Sequence, residues 1–196
     1  MTEGLRPTPA EERTVLARAF VDDPLMAWFF PDADTRLHAC AALFGLFAEH
    51  YLRSGRVDAL GGNPPVAVAM WRWPGVDDPD EDVLPTVPGL MTALMGADRA
   101  PRIGAAMSVI SSHRPPEPHA YLHVLGVDPA VRGRGLGGQV LDRGLGAARD
   151  AGLVACLETM NPANVPFYVR HGFQVRAEIQ LTDGGPTVWA MATTDA

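Results

Sequence analysis

Between Pro9 and Phe20 the apolar positions fall with a helical period, and Val15, Leu16, Ala19 and Phe20 share one face. Thr8 stands where an N-cap would, and Pro9 suits a first turn. The stretch "DDPLMAWFFPDADT" interrupts the period, which resumes over about 36–52 and predicts a second helix. Two short extended runs follow at 57–60 and 66–71, on either side of the turn signal "GGNPP". Residues 74–88 are acidic and proline-rich, which predicts an exposed loop, and 89–112 reads as a helix rich in Met, Leu and Ala. "HRPPEPHA" ends that helix, so 74–119 has the character of a loop-plus-helix insertion within one domain spanning 1–196.

The second half is more regular. "YLHVLGV" (121–127) reads as a strand, a glycine-rich loop follows, and a helix is predicted over about 136–151. Val140, Leu141, Gly144, Leu145 and Ala148 lie on one face of it, with Gly152 just past its end. "VACLET" (154–159) is a buried strand that completes a β-α-β unit, hence a right-handed parallel crossover. "NVPFYVRHGF" opens on an Asn cap, carries an early Pro and closes on Gly172, predicting a short helix at 164–171. "QVRAEIQL" and "TVWAMAT", around "TDGGP", predict a terminal antiparallel pair. The whole is an α/β pattern with a mixed sheet.

Composition removes several function classes. A net charge of −7 and a pI near 5.3 argue against nucleic acid or an anionic membrane as partner. All 16 basic side chains are arginine, so lysine Schiff bases and a Walker-type lysine are excluded. Cys40 and Cys156 sit far apart in apolar stretches, as buried reduced thiols do, rather than as a disulfide or a nucleophile. "MTEGLRPTPAEERT" carries no apolar leader, and the longest apolar run, "ACAALFGLFA", is about half a bilayer span. A cytoplasmic protein without a metal site is therefore expected.

Gly133, Gly135 and Gly138 spell G-x-G-x-x-G, and Glu158 stands about twenty positions on, as in a dinucleotide site. A Rossmann loop, however, turns from its strand straight into the first glycine. Here residues 128–132 intervene, and more than half the chain precedes the motif. The overlapping pattern R-x-x-G-x-G, from Arg132 through Gly133, Arg134, Gly135 and Leu136 to Gly137, fits a larger, more exposed diphosphate. Glycines at a helix start let main-chain N–H groups approach phosphate closely, and the flanking arginines add charge.

"LHVLGVDPAVRGRGLGGQVLDRGLGAARDAG" and "LETMNPANVPFYVRHGF" resemble the acetyl-CoA-binding core of the GNAT acyltransferase superfamily. "HRPPEPHAYLHVLGV" and "GGPTVWAMAT" extend the likeness to the puromycin N-acetyltransferase-like group within it. That resemblance implies a mixed, twisted α/β (α+β) sheet of about six to seven strands flanked by helices. It also implies a splayed parallel pair at the acetyl-CoA site, and no metal. Carried over by motif, Leu125, Gly126 and Val127 meet the pantetheine arm, with a bulge near Gly126. Arg132 to Gly137 meet the diphosphate, with Asn164 and Tyr168 beside them. The implied activity is acetyl transfer from acetyl-CoA to the primary amine of a small molecule, antibiotic- or nucleoside-like, by direct attack. The resemblance implies that the Leu125 N–H holds the oxyanion and that Tyr168 protonates the departing thiolate.

A base is less clearly marked. Many members carry a Glu where this chain has Tyr121; Glu158, which ends the neighbouring strand, is the best single candidate. His123, His119 and His113 are alternatives, as is a water relay. For the acceptor pocket, Trp28 and Phe29 in "MAWFFPD" and Trp71 in "MWRW" are the candidates, against a competing role in core packing. Met91, Leu94 and Met95 read as core, and Asp22, Asp23 and Asp32 read as solvated charges with some attraction for a cation. The Met-rich insertion also suits a homodimer interface. The rival functions are an acyl-CoA-binding or regulatory module without turnover, and acetylation of protein amines.

Overall fold

The computed structural model describes residues 8–76 and 86–194. Most of the loop expected at 74–88, and the stretch before Thr8, lie outside them. The first helix, α1 (Pro9–Phe20), starts on a reciprocal cap: Glu11 N–H donates to the Thr8 hydroxyl, while the Glu11 carboxylate accepts from Thr8 N–H at 2.8 Å. A helix not foreseen, α2 (Pro24–Phe29), follows. Pro24 looks like a breaker, yet it occupies the first helical position behind Asp23, whose carboxylate accepts from Leu25 N–H at 2.9 Å. Asp32 caps α3 (Ala33–Ser54) in the same way, through Asp34 N–H, so that helix begins ahead of the expected 36.

Strands β1 (Arg56–Leu60) and β2 (Ala67–Arg72) come next. The single helix expected over 89–112 is two, α4 (Val87–Met95) and α5 (Arg99–Ser111). They part at Gly96, whose φ of 86° is left-handed backbone that glycine adopts without strain. The remainder is β3 (His119–Val127), α6 (Leu136–Asp150), β4 (Val154–Thr159), α7 (Val165–Arg170), β5 (Phe173–Gln180) and β6 (Thr187–Thr193).

The six strands form one mixed sheet in the order β1-β2-β3-β4-β6-β5, with β3–β4 its parallel pair. Alternation along β2 divides the core between the two faces. Val68 and Met70 meet α1 and α3 through Leu16, Phe44 and Tyr51, while Ala67, Ala69 and Trp71 meet α6 through Val140 and Leu141. Two glycines set how closely helices approach. A Cβ at Gly126 would stand 2.7 Å from Leu16 of α1, and one at Gly144 would stand 2.2 Å from the Trp71 indole. Cys40 and Cys156 are buried and unpaired, and burial pushes their thiols up to about 11 and about 12, so neither is a thiolate near neutrality.

One buried group works against stability. Glu12 of α1 is wholly enclosed, and neither carboxylate oxygen has a hydrogen-bond partner. Burial, with the neighbouring Glu11 charge adding, raises its pKa from 4.5 to about 7. Between those values the folded chain holds a proton that the unfolded chain has lost, so stability falls as pH rises from about 4.5 to 7. Above that range the loss amounts to about 3 kcal/mol, from roughly 1.4 kcal/mol per pKa unit. Glu12→Met keeps the length and removes the charge. It should raise Tm at pH 8 by several degrees and abolish the fall between pH 5 and 8, measured by thermal denaturation. An unchanged pH dependence would contradict this.

Candidate active site

Parallel pairing of β3 with β4 runs from His119 opposite Val154 to Leu122 opposite Leu157 and stops there, although β3 continues to Val127. On its other edge β3 stays paired with β2 to the end, Leu125 opposite Ala69 and Val127 opposite Ala67. The parallel pair therefore opens into a gap. Its cause is a bulge, which lies at His123 and not near Gly126 as expected. Met70 faces Val124 and Trp71 faces Leu122, leaving His123 as the extra residue. An inserted residue bends a strand locally, here where the pairing with β4 ends. The glycine at 126 answers instead to the close approach of α1.

The free edge presents particular main-chain groups. Asp128 N–H donates to Val66 O at 2.8 Å, toward β2. In an antiparallel pair, successive residues turn their amides to alternate sides. Gly126 thus faces β2, while the N–H and C=O of Leu125 and Val127 face the gap.

Beyond β3, Asp128 caps a short 3-10 turn (Pro129–Val131) and ion-pairs with Arg18 at 2.9 Å. The chain then reaches α6 through Gly133 and Gly135, with φ of 80° and 74°. Gly135 occupies the N-cap position and supplies no side-chain cap, so the first N–H groups of a 15-residue helix are left for another acceptor. Nothing stands within 4 Å of a Cβ built at either glycine. Arg134 is exposed, without a hydrogen bond or ion pair among the described residues. Arg132 is partly diverted, donating to Ala19 O at 2.7 Å near the end of α1. Leu136 and Gly137 open the helix, and the Gly137 Cα looks toward Val127, Leu125 and Phe167 across the gap.

A cavity of about 600 Å³ adjoins the gap. Phe29, Phe44, Phe47, Met91, Ile103 and Met107 supply much of its wall, so α4 and α5 turn their Met-rich side to the cavity. Leu94, expected as core, is exposed. Tyr168 and Asn164, one helical turn apart, face it from α7 and the turn before. Asn164 makes no cap hydrogen bond. The capping Asn is Asn161, which accepts from Ala163 N–H at 3.0 Å in the preceding turn. Tyr168 is buried, packed edge-on to Phe167 and Phe173. Burial, and then the Asp23 charge, push its phenol well above the ordinary value, so it stays protonated at neutral pH.

His123 also lines the cavity, its Nδ1 2.7 Å from the Tyr51 hydroxyl and its ring between Phe47 and Tyr121. Glu158 lies at the cavity floor, held by Arg114 through Nε at 2.8 Å and Nη2 at 3.4 Å. The Arg114 guanidinium rests 3.9 Å from the Tyr121 ring centroid, and the Tyr121 hydroxyl bonds Glu158. Glu158 is thus a carboxylate already paired with a guanidinium. His119 and His113 are bonded to the carbonyls of Glu117 and Val109, and neither lines the cavity.

Of the aromatic candidates, Phe29 lines the cavity. Trp28 instead donates from its indole to Asp183 O at 3.2 Å, tying α2 to the β5–β6 turn. Trp71 is wholly buried on the opposite face of the sheet under α6, so it does not belong to the pocket. Sequence reasoning missed Arg114, whose partner is 44 positions away, and read Asp23 as a solvated charge with some attraction for a cation. The cap position before Pro24 was the one local signal for Asp23.

Among the described residues no group of three or more His, Cys, Asp or Glu could hold a metal, and no helix is long and apolar enough to cross a membrane. Residues 72–173 match the family model described as the acetyltransferase (GNAT) family. A Corynebacterium glutamicum protein, described as histone acetyltransferase HPA2 and related acetyltransferase, superposes with a TM-score of 0.71 at 25% identity, covering 100% of this chain and 98% of its own. Arylalkylamine N-acetyltransferase 2 of Aedes aegypti gives 0.59 at 12% identity, over 94% and 91%. The polyamine N-acetyltransferase of Drosophila melanogaster, which forms N-acetylagmatine, gives 0.56 at 19%, over 95% and 97%.

Proposed function

The chain belongs to the GNAT acetyltransferase family, and from that premise we propose that it moves the acetyl group of acetyl-CoA to the primary amine of a small molecule. The observation that carries this reading is the gap between β3 and β4, lying beside the uncapped start of α6 and opening on a largely apolar cavity. The amides from Gly133 to Gly137 receive the diphosphate, with Arg134 adding charge. Leu125 and Val127 pair with the pantetheine arm as an added strand would. As the amine attacks the thioester carbon, the Leu125 N–H donates to the oxygen that gains charge.

Tyr168 gives its proton to the thiolate when the carbon–sulfur bond breaks. The acceptor arrives as ammonium and must lose a proton first. His123 suits that step, since its imidazole lines the cavity and Tyr51 orients it. Glu158 is held by Arg114 in an ion pair and is not assigned the proton of the acceptor. The likeness to puromycin N-acetyltransferase-like proteins supports an antibiotic- or nucleoside-like acceptor. The net charge, and the absence of a long apolar helix among the described residues, support a cytoplasmic setting. A protein amine is the second reading, favoured by the description of the Corynebacterium protein.

Thiol release from acetyl-CoA across a panel of small amines, puromycin included, and basic peptides tests the proposal. Release with a small amine is expected. Release with peptides alone selects the second reading, and acetyl-CoA binding without release on any acceptor identifies a module that binds but does not turn over.

A further inference from the structure

Among the described residues two carboxylates line the cavity, and they are differently partnered. Glu158 is neutralised by Arg114. Asp23, which caps α2, has no cationic partner among the described residues. One of its oxygens accepts from Leu25 N–H. The group is half-buried, and the cavity it lines is walled by apolar side chains, Met26, Phe29, Phe44 and Met91 among them. An unpaired carboxylate beside such a wall is costly, and a cation arriving with the ligand removes that cost.

We infer that Asp23 is the residue that receives the ammonium group of the acceptor, and that acceptors are primary amines on an apolar, aromatic-sized body rather than polyamines. The inference rests on the amine-acetylation reading and names the substrate class of the same cavity. Three observations agree with it. Asp23 and Tyr168 line the same cavity, so an ammonium held at Asp23 shares that space with the proton donor for the leaving thiolate. Burial raises the Asp23 carboxyl above its ordinary value although the N–H groups of Leu25 and Met26 lower it, as befits a charge with no cation beside it. Among the described residues the cavity lining holds no carboxylate beyond Asp23 and Glu158, so within that lining a polyamine's additional ammonium groups meet apolar side chains such as Phe47, Ile103 and Met107.

Asp23→Asn tests this cleanly, because Asn caps a helix as well as Asp does and only the charge is lost. Asp23→Ser, a second capping residue, guards against an effect peculiar to Asn. The measurement is calorimetric titration of 2-phenylethylamine, 2-phenylethanol and spermidine into wild type and both variants with CoA present, with Tm recorded alongside. Wild type should bind phenylethylamine at least about ten-fold tighter than either variant, the energy of one favourable charge contact. Phenylethanol should bind all three alike, and spermidine should bind weakly. Equal binding of phenylethylamine by wild type and variants, a preference for spermidine, or no binding of phenylethylamine by any of them would overturn the inference. Because titration needs no turnover, Asp23-dependent binding without thiol release would leave the inference standing and reject acetyl transfer to such amines instead.

Discussion

Tyr168→Phe is expected to lower kcat by about 10²–10⁴-fold while acetyl-CoA affinity stays within about two-fold of wild type, because general-acid groups typically contribute that much to rate. The substitution is a clean one. The ring is 7% exposed and packs edge-on to Phe167 at 5.1 Å and Phe173 at 5.7 Å, contacts that phenylalanine keeps. Only the hydroxyl goes, and with it the proton for the thiolate. Burial and the Asp23 charge hold the phenol above its ordinary pKa, so the rate limb assigned to this acid should lie on the alkaline side and not near neutrality. A tyrosine present for packing alone would leave kcat almost unchanged. Single-turnover thiol release, compared with acetyl-CoA binding on the same samples, separates the two.

What the sequence disclosed follows from how local each signal is. The run from β3 through the glycine loop and α6 to β4 was legible because strand patterning, left-handed glycines and helix amphipathicity are each written within a few neighbouring residues. The capping box at Thr8 and Glu11 is equally local. Helix α2 was hidden because six residues are too few for a period to show, and Pro24 reads alike as a breaker and as a first-turn residue. Gly96 divides α4 from α5 inside a continuous run of helix formers, and only its backbone sign marks the break.

The bulge at His123 is a property of register between β2 and β3, so it cannot be read from β3 alone. It also decides which side chains share a face, which is why His123 and Val124 both turn toward α1 and α3. Trp71 was misplaced for a related reason. Alternation separates it from Met70 without telling which face carries the cavity. The Arg114–Glu158 pair and the enclosure of Glu12 are tertiary facts with no local trace. In sequence, Glu12 looks like an ordinary acidic residue in a helix's first turn.

The second large effect is expected at Gly137. It stands in the first turn of α6 with ordinary room around it: an added Cβ would lie 3.5 Å from Val127, 3.7 Å from Phe167 and 3.9 Å from Leu125. For the protein by itself, Gly137→Ala is therefore neutral or favourable, since alanine in a helix gains about 1 kcal/mol over glycine. Those three neighbours are also the walls of the gap proposed to hold acetyl-CoA. A methyl group there would intrude between the main-chain amides and a diphosphate or pantetheine that must approach closely, costing about 1.4–3 kcal/mol, or ten-fold to a hundred-fold in affinity.

Stability and binding should thus move in opposite directions, a combination that damage to the fold does not produce. Calorimetric titration of acetyl-CoA into wild type and Gly137→Ala, with a melting curve of each, measures both. The account predicts binding by wild type, affinity in the variant weakened by at least about ten-fold, and a Tm equal to or above that of wild type. Equal affinity in the two proteins, with both folded, would contradict it, because the ligand would then lie somewhere other than between the start of α6 and the open end of β3.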